Sequence, residues 1–414
     1  MSTRLFNDML NEHLAYDLMK ADIEEKSYLW KNLEHDESWT GDLIIPFQSS
    51  RSSSVKAGGL VAVADITSGR KVRGSISNDD RPEINMSLVF HHKDIYNHEG
   101  KLKAKSFLGT FLPEEMKSAT DYFAKTLNHT FLNARSLDNA VAAGTNVGVL
   151  QVKRIERFEL DMKIVIDPTG ENITGWVSAI DMNTEKITVV TAKGGSTGID
   201  LTTVDANDPI YQEGFATSTV NNLKELLLPL TAGGSANIYG KVKTASPYTQ
   251  ALAMTGASGD AQITASLVLT GLFNAFSKYR QVAKVGASEA WVSFKILGWI
   301  MAKLEQDKGA YKMVPGSMKV SQYGFTEVEI FGPKGSLKVV AHQEMDNDFI
   351  VFMAQDAMKI HSNGGIYKHK DPNGNAFYTV RDEADNYKYV VDLMYEGTIV
   401  VSKPYKCMII HSIA

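Results

Sequence analysis

A single long amphipathic helix is the strongest structural signal in this sequence. It is predicted to run from Leu112 to about Arg135 and opens with Pro113, whose missing N–H costs nothing at a first helical position. Glu114 and Glu115 follow, where the positive end of the helix dipole favours carboxylates. The next glycine is Gly144, so the pattern allows the helix to continue beyond Arg135. One apolar stripe recurs at three- and four-residue steps and consists of Met116, Ala119, Phe123, Leu127, Phe131 and Ala134.

Such a helix is about 35 Å long and needs a surface on which its stripe can lie. Strand-like sequence stands on both sides of it, which predicts a helix laid across a sheet.

Composition places the chain among ordinary globular proteins. Its 414 residues are 43% hydrophobic and 22% charged, which is typical of a chain with a real core in two or three domains. The net charge of −5 creates no general demand for a polyanionic partner. The only cysteine is Cys407, which favours a reducing cytoplasm over a secretory route. The first residues lack the apolar core of a signal peptide, and no stretch has the ~18 apolar residues of a membrane span.

The chain before the helix is predicted to form extended arms. Residues 4–20 have near-helical apolar spacing, which predicts a short helix that docks either on its own domain or on a neighbouring subunit. After a break near Pro46, residues 55–107 have the pattern of a β ribbon too poor in apolar residues to hold its own core. The ribbon either packs on the body of the protein or extends to a partner. The candidates for inter-subunit contact in these two segments are Leu5, Phe6, Met9, Leu10, Arg70, Lys71 and Arg73.

The basic residues of the ribbon leave two interpretations open. One is a solvated strand face and the other is a nucleic-acid patch. The solvated face is favoured, because the aromatic residues on which single-stranded bases would stack are nearly absent.

The chain after the helix alternates between β-rich and mixed regions. A long β pattern covers 147–167, with imperfect alternation that predicts a bulge or a twist. A hairpin turns at Asp181–Glu185, inside a small all-β segment at about 168–206. The mixed region that follows is predicted to contain a helix stopped by Pro229, helices at 265–279 and 288–304, and strands at 325–331 and 337–342. The last seventy or so residues are β-rich again.

Motifs for catalysis and metal binding are weak. Gly194–Gly198 has the spacing of a nucleophile elbow, but no helix start follows it. The Asp181–Glu185 turn lacks the glycine and the closing glutamate of a calcium loop, and the glycine-rich loop at 231–240 lacks the lysine of a phosphate-binding loop. No cysteine or carboxylate stands at metal-ligand spacing from the three histidines His91, His92 and His98. The sequence therefore predicts no catalytic residue, no cofactor and no metal.

The order of the elements resembles the major capsid protein of tailed bacteriophages, the Hong Kong ninety-seven type capsid fold. GTIVVSKPYKCMIIHS at 397–412 is similar to the closing strand–proline–strand of that family, and RFELDMKIVID followed by GWVSAID is similar to it in style. The resemblance implies an α+β fold, divided into an N-terminal arm (1–48), an extended loop (49–107), a peripheral domain with the spine helix and the 168–206 insertion (108–221), an axial domain (222–340) and a β-rich return (341–414).

The resemblance also implies a function. Copies form hexamers and pentamers with axial domains meeting at the centre, and the extended loop lies over the adjacent subunit while the arm adds a further contact. The product is an icosahedral shell in the virion that encloses double-stranded DNA through weak, non-specific contacts, which the modest net charge fits. The implied partners are other copies of the chain, a separate scaffolding protein, a portal and a decoration protein, with no membrane. Assembly takes place in the host cytoplasm.

Two other functions stay open at this point. An encapsulin-like compartment shares the fold and encloses enzymes instead of DNA. A ligand-binding or enzymatic protein would use the glycine-rich loop at 231–240 as its pocket.

Overall fold

The computed structural model describes residues 29–30, 33–48, 71–91, 112–167, 170, 172–283, 289–306, 327–332, 335–368, 378–381 and 387–413. The chain divides into two compact units. Unit 1 consists of residues 1–132 and 221–414, and unit 2 of residues 133–220. The fold class is α+β, as predicted.

The described helices and strands are numbered in chain order. The helices are α1 (Leu112–Leu132), α2 (Leu223–Leu227), α3 (Val268–Ala283) and α4 (Phe294–Gln306). The strands that precede α1 are β1 (Glu34–Asp36), β2 (Leu43–Gln48), β3 (Lys71–Ile76) and β4 (Glu83–His91). The strands of unit 2 are β5 (Asp138–Asn139), β6 (Val149–Gln151), β7 (Lys163–Ile166), β8 (Ile173–Asp181), β9 (Lys186–Val190) and β10 (Pro209–Gln212). The later strands of unit 1 are β11 (Asn237–Ile238), β12 (Lys241–Val242), β13 (Leu252–Thr255), β14 (Glu289–Ser293), β15 (Glu327–Gly332), β16 (Gly335–His342), β17 (Phe349–Met353), β18 (Met358–Lys368), β19 (Tyr378–Arg381), β20 (Tyr387–Val401) and β21 (Met408–His411). Among the residues described, no helix combines the length and the hydropathy that crossing a lipid bilayer requires.

The long helix is present and buries Ala119, Phe123, Leu127 and Phe131 of the predicted stripe, whereas Ala134 lies beyond the helix and is half-buried. Phe123, Leu127 and Phe131 in α1 are each at most 2% exposed, and Phe131 packs edge-on against Tyr395 of β20 at 6.0 Å between ring centroids. The helix ends at Leu132, three residues before the predicted end. Beyond it, backbone pairing within unit 2 takes over, because the N–H of residue 137 donates to a carbonyl of β10.

The first sheet of unit 1 is built around β20, a strand of fifteen residues. β18 and β19 pair with different parts of the same edge of β20. β4 pairs with nine residues along the other edge, and all three pairings are antiparallel. The short strand β1 adds to the outer edge of β18 in parallel. Part of the predicted ribbon, β4, therefore packs on the body of the protein.

The second sheet of unit 1 is mixed and carries two helices. Its order is β13-β21-β17-β14-β16-β15, and α3 and α4 cover one face. The core between them includes Phe276, Ile296, Val292 and Phe352, each at most 1% exposed. The segment joining the two sheets is β20, a turn of 3₁₀ helix at Pro404–Lys406, and β21, which confirms the predicted strand–proline–strand.

One predicted helix is wrong in its first turn. The segment 288–304 begins with β14, all five residues of which are buried, and only then becomes α4. β14 lies between β16 and β17, and a central strand buried on both faces has no polar alternation to distinguish it from a buried helix.

Unit 2 is an antiparallel six-stranded sheet of order β5-β10-β7-β8-β9-β6. The β8–β9 hairpin confirms the predicted turn at Asp181–Glu185. The single long strand expected at 147–167 is wrong, because β6 and β7 are separated by a 3₁₀ turn at Ile155–Arg157. That turn buries Arg157, whose guanidinium donates to the Leu137 carbonyl at 2.7 Å, and a straight strand would not bring the side chain there.

Candidate functional site

The β2–β3 hairpin carries two of the three predicted basic residues, Lys71 and Arg73, on its exposed face. Lys71 and Arg73 are both exposed, and the register places Arg73 opposite Pro46. Ile44 lies on the same outward face and is 57% exposed. Among the residues that the structure describes, neither cation has a carboxylate partner. Arg70 lies just outside the described residues.

The inward face of this hairpin is fixed to the 231–240 loop. Phe47 stacks on Tyr239 with ring centroids 5.8 Å apart, and the N–H of Ser75 donates to the Tyr239 carbonyl at 3.2 Å. Gly74 allows this approach, because a Cβ there would lie 2.7 Å from the Phe47 ring. The Tyr239 hydroxyl accepts from the Val401 N–H at 2.8 Å, and burial raises the pKa of Tyr239. The hairpin thus presents its basic face from a rigid base.

The four candidate contact residues of the arm, Leu5, Phe6, Met9 and Leu10, lie outside the described residues. The described chain begins with two buried residues, Leu29 and Trp30, and the Trp30 ring meets Tyr395 edge-on at 5.2 Å. This later part of the predicted arm (1–48) is therefore packed on β20 of its own chain.

Paired charges fasten this segment to β18. Lys359 contacts Glu34 at 2.5 Å, and His361 lies 3.4 Å from Asp36. Burial lowers the pKa of His361, although the Asp36 carboxylate opposes that effect. Hydrogen bonds from Ser38 lower the pKa of Asp36. β1 was not predicted, because a strand of three residues is too short to show an alternating pattern and its partner strand β18 lies more than 300 residues away.

A largely buried ion pair lies beside the start of β4. Arg81 lies 2.6 Å from Glu396, which is 7% exposed, and the side-chain amide of Asn363 donates to the same carboxylate at 3.0 Å. Arg81 also donates to the Trp39 carbonyl at 3.2 Å. This pair has no local signal in the sequence, because Arg81, just before β4, and Glu396 of β20 lie more than 300 residues apart in the chain.

The glycine-rich loop at 231–240 lies beside a buried lysine that supports structure. The Lys243 ammonium donates to the carbonyls of Glu225 at 2.7 Å and Leu228 at 3.0 Å, which lie at the C-terminal end of α2 where a cation is favoured. Burial lowers the pKa of Lys243 to about 8, and Glu225 opposes that shift. Lys243 therefore caps the C-terminal end of α2.

Lys224, which lies on α2 itself, contacts two carboxylates. Lys224 lies 3.3 Å from Asp346 and 2.9 Å from Asp348, and its ammonium stands 5.1 Å from the centre of the Phe349 ring. Burial alone would lower the pKa of Lys224, but the two carboxylates outweigh it and the pKa is raised. The cluster anchors α2 to the segment before β17.

The weak motifs of the sequence lie in turns. Gly194–Gly198 closes a loop in which the Thr191 N–H donates to the Thr197 carbonyl at 3.2 Å. Asp181 accepts from the Asn183 N–H at 3.0 Å, as a hairpin turn requires. His91 ends β4, while His92 and His98 lie outside the described residues. Within the described ranges no group of three or more metal-ligating side chains is found.

Comparison with known proteins gives matches only among solved structures. No protein-family profile matches the chain, and no curated protein matches it. The chain is similar to the capsid asymmetric unit of cyanophage A-1(L). The sequence identity is 13% and the TM-score is 0.46, over 92% of this chain and 90% of the other. It is similar to the capsid of a native GTA particle, with 11% identity and a TM-score of 0.44 over 93% and 90%. It is also similar to a virus-like particle from Pyrococcus furiosus, with 7% identity and a TM-score of 0.39 over 95% and 96%.

Proposed function

We propose that this chain is the structural subunit of an icosahedral capsid and assembles as hexamers and pentamers. The observation that carries the proposal is the element order of unit 1. The long helix α1 packs on the sheet built around β20, and β20 continues through the Pro404 turn into β21 of a second, helix-covered sheet. This is the order that the sequence resemblance implies for a spine helix, a peripheral sheet and an axial domain.

The contacts between copies involve the extended loop and the arm. Within the predicted loop at 49–107, β4 stays paired with β20 of its own chain. The part that meets an adjacent subunit contains Arg70, Lys71 and Arg73. Two observations support this role: the close packing of the β2–β3 pair on Tyr239, and the exposure of Lys71 and Arg73, which have no carboxylate partner among the residues that the structure describes. The arm adds a contact through Leu5, Phe6, Met9 and Leu10.

The shell encloses double-stranded DNA and acts without catalysis. Weak, non-specific contacts suit a chain of net charge −5, because a strongly basic lining would hold the DNA through many phosphate contacts. A separate scaffolding protein, a portal and a decoration protein complete the particle, which forms in the host cytoplasm and persists as the virion.

Sedimentation and negative-stain microscopy of the purified chain test the proposal. We expect closed shells, or rings with five- or six-fold symmetry, for the chain alone or when it is co-expressed with its scaffolding protein. A chain that stays monomeric under both conditions contradicts the proposal. Nuclease-resistant DNA inside the shells would support a capsid, whereas enclosed enzymes would support an encapsulin-like compartment.

The double variant Lys71→Glu/Arg73→Glu tests the contact through the hairpin. We expect it to fold like the wild type and to lose shells, since the basic face becomes acidic. The matched control is Lys153→Glu/Lys186→Glu, which makes the same change in charge at exposed sites of unit 2. If both variants assemble equally well, the hairpin does not take part in the contact between subunits. That result would not contradict the proposal that the chain forms a shell.

A further inference from the structure

The outer surface of the unit 2 sheet carries an aromatic residue between two cations. Trp176 of β8 stands directly opposite Lys163 of β7, whose ammonium lies 5.6 Å from the centre of the Trp176 ring. The ammonium of Lys193 lies 5.8 Å from the same ring. Both distances are within the range of cation–π attraction.

An exposed leucine and two carboxylates complete this surface. The N–H of Asp161 donates to the Val177 carbonyl at 2.8 Å, which places the turn around residues 159–162 beside Trp176. Leu160 in that turn is 63% exposed. Asp161 lies 3.8 Å from Lys193, and Glu213 forms an ion pair with Lys163. The Trp176 patch is defined here as Leu160, Asp161, Lys163, Trp176, Lys193 and Glu213.

The patch has the anatomy of a protein–protein contact. Its centre is apolar and contains a tryptophan, the residue type most enriched among those that dominate binding energy. Its rim consists of charged side chains that remain partly in water, with exposures between 31% for Lys163 and 60% for Lys193.

The charges of the rim indicate which partner fits. The rim carries two cations and two carboxylates. Within one chain Lys163 is paired with Glu213 and Lys193 with Asp161, so the rim has no excess charge. A two-fold contact between identical copies brings the same neutral rim to both sides, and each ion pair can then face an ion pair of the other copy. If all charges of the rim had the same sign, the rims of the two copies would repel each other. A rim with equal numbers of positive and negative charges can instead be complementary to itself.

We propose that the Trp176 patch is a two-fold interface through which unit 2 of one chain binds unit 2 of a second copy. The contact differs from those of the extended loop and the arm. The interface joins two chains whether or not a shell forms. An experiment that finds no such interface would therefore leave the proposed function untouched, and an experiment that finds no shell would leave the interface untouched.

Cysteine crosslinking on the full-length chain tests the interface. Leu160→Cys places a reactive thiol at the patch, and the natural Cys407 is buried and gives little background. Met182→Cys is the matched control. Met182 is also 63% exposed and lies in unit 2, but it stands six residues beyond Trp176, or about 20 Å along the strand direction. With a short bismaleimide, we expect covalent dimers from Leu160→Cys and few from Met182→Cys. Equal yields from the two variants, or no dimer from Leu160→Cys, would overturn the proposal.

Two further changes in the Leu160→Cys background separate binding from folding. Trp176→Ala should lower the dimer yield about tenfold, as removal of a central aromatic anchor does. Lys163→Glu/Lys193→Glu should also lower it, because both rims become acidic, and 1 M salt should restore part of the yield by screening the repulsion. A dimer yield that neither change alters would contradict the two-fold interface.

Discussion

At the scale of single residues, close packing decides where the basic hairpin stands. Gly74 lies against Phe47 and Tyr239 so closely that even a methyl group has no room. We expect Gly74→Ala to lower the free energy of unfolding of unit 1 by about 1–3 kcal/mol, the usual cost of overpacking. Thermal or urea unfolding measures the change. Gly41→Ala is the control, because a Cβ there meets nothing within 4 Å. Equal stability of the two variants would show that the hairpin is not held by this contact.

The buried lysine beside the glycine-rich loop predicts a pH dependence. The pKa of Lys243 is lowered from 10.5 to about 8, mainly by burial. Between these pH values the unfolded chain binds the lysine proton more tightly than the folded chain does, so the contribution of Lys243 to stability rises with pH. We therefore expect the thermal midpoint of the wild type, relative to Lys243→Met, to rise from pH 8 to pH 10.5.

The exposed Lys125 provides the control for this pH series. Lys125→Met removes a lysine charge from the surface of α1, and the midpoint difference from the wild type should change more with pH for Lys243→Met than for Lys125→Met. If both lysine variants follow parallel curves, the burial of Lys243 has no effect on its titration.

At the scale of elements, a helix of five residues such as α2 cannot be stable by itself. Packing of Leu223, Leu226 and Leu227 holds it, together with the cluster of Lys224, Asp346 and Asp348. We expect Asp346→Asn/Asp348→Asn to weaken this anchoring by about 1 kcal/mol, a value reduced for partial exposure. Hydrogen exchange should then become faster in peptides that cover residues 223–228.

The exposed Asp356, which contacts Lys403 and Lys406, provides a comparison for that prediction. Asp356→Asn removes a carboxylate from another ion cluster of unit 1 and should leave exchange at 223–228 unchanged. If the exchange of α2 is equally fast in both variants, the Lys224 cluster does not anchor the helix.

The elements that were predicted well are those whose signal is local. The stripe of α1 and the turn of the β8–β9 hairpin depend on neighbours in the sequence, and both were found. The pattern of β14 was read as helical because all five of its residues are buried, and its strand partners β16 and β17 come from later, distant parts of the chain.

At the scale of the whole molecule, the proposed shell predicts a separation between folding and assembly. We expect replacement of Leu5, Phe6, Met9 and Leu10 by serine, or deletion of residues 1–20, to leave a soluble folded monomer and to reduce shell formation. The physical reason is that an apolar stripe on an arm is useful only where a neighbouring copy covers it. Circular dichroism and sedimentation measure the two properties. Aggregation or loss of the folded monomer would mean that the arm belongs to the core of its own subunit.

The candidate site was only partly predictable. Lys71 and Arg73 were identified from composition, and the structure adds that their strand stands on a rigid base. The Trp176 patch was not identified, because its residues come from separate turns and strands between 160 and 213 and meet only in the folded sheet.

By itself, the sequence determined the long helix, the main hairpins, the closing strand–proline–strand and the absence of strong catalytic motifs. Periodicity and turn chemistry act between neighbours, so a linear pattern can specify them. Only the tertiary structure decided that β1 pairs with β18, that β14 is a central strand, and that residues 133–220 form a separate compact unit. These features depend on contacts between distant residues, such as Glu34 with Lys359. Such partners are chosen by shape and charge in three dimensions, where the spacing of residues along the chain gives no guide.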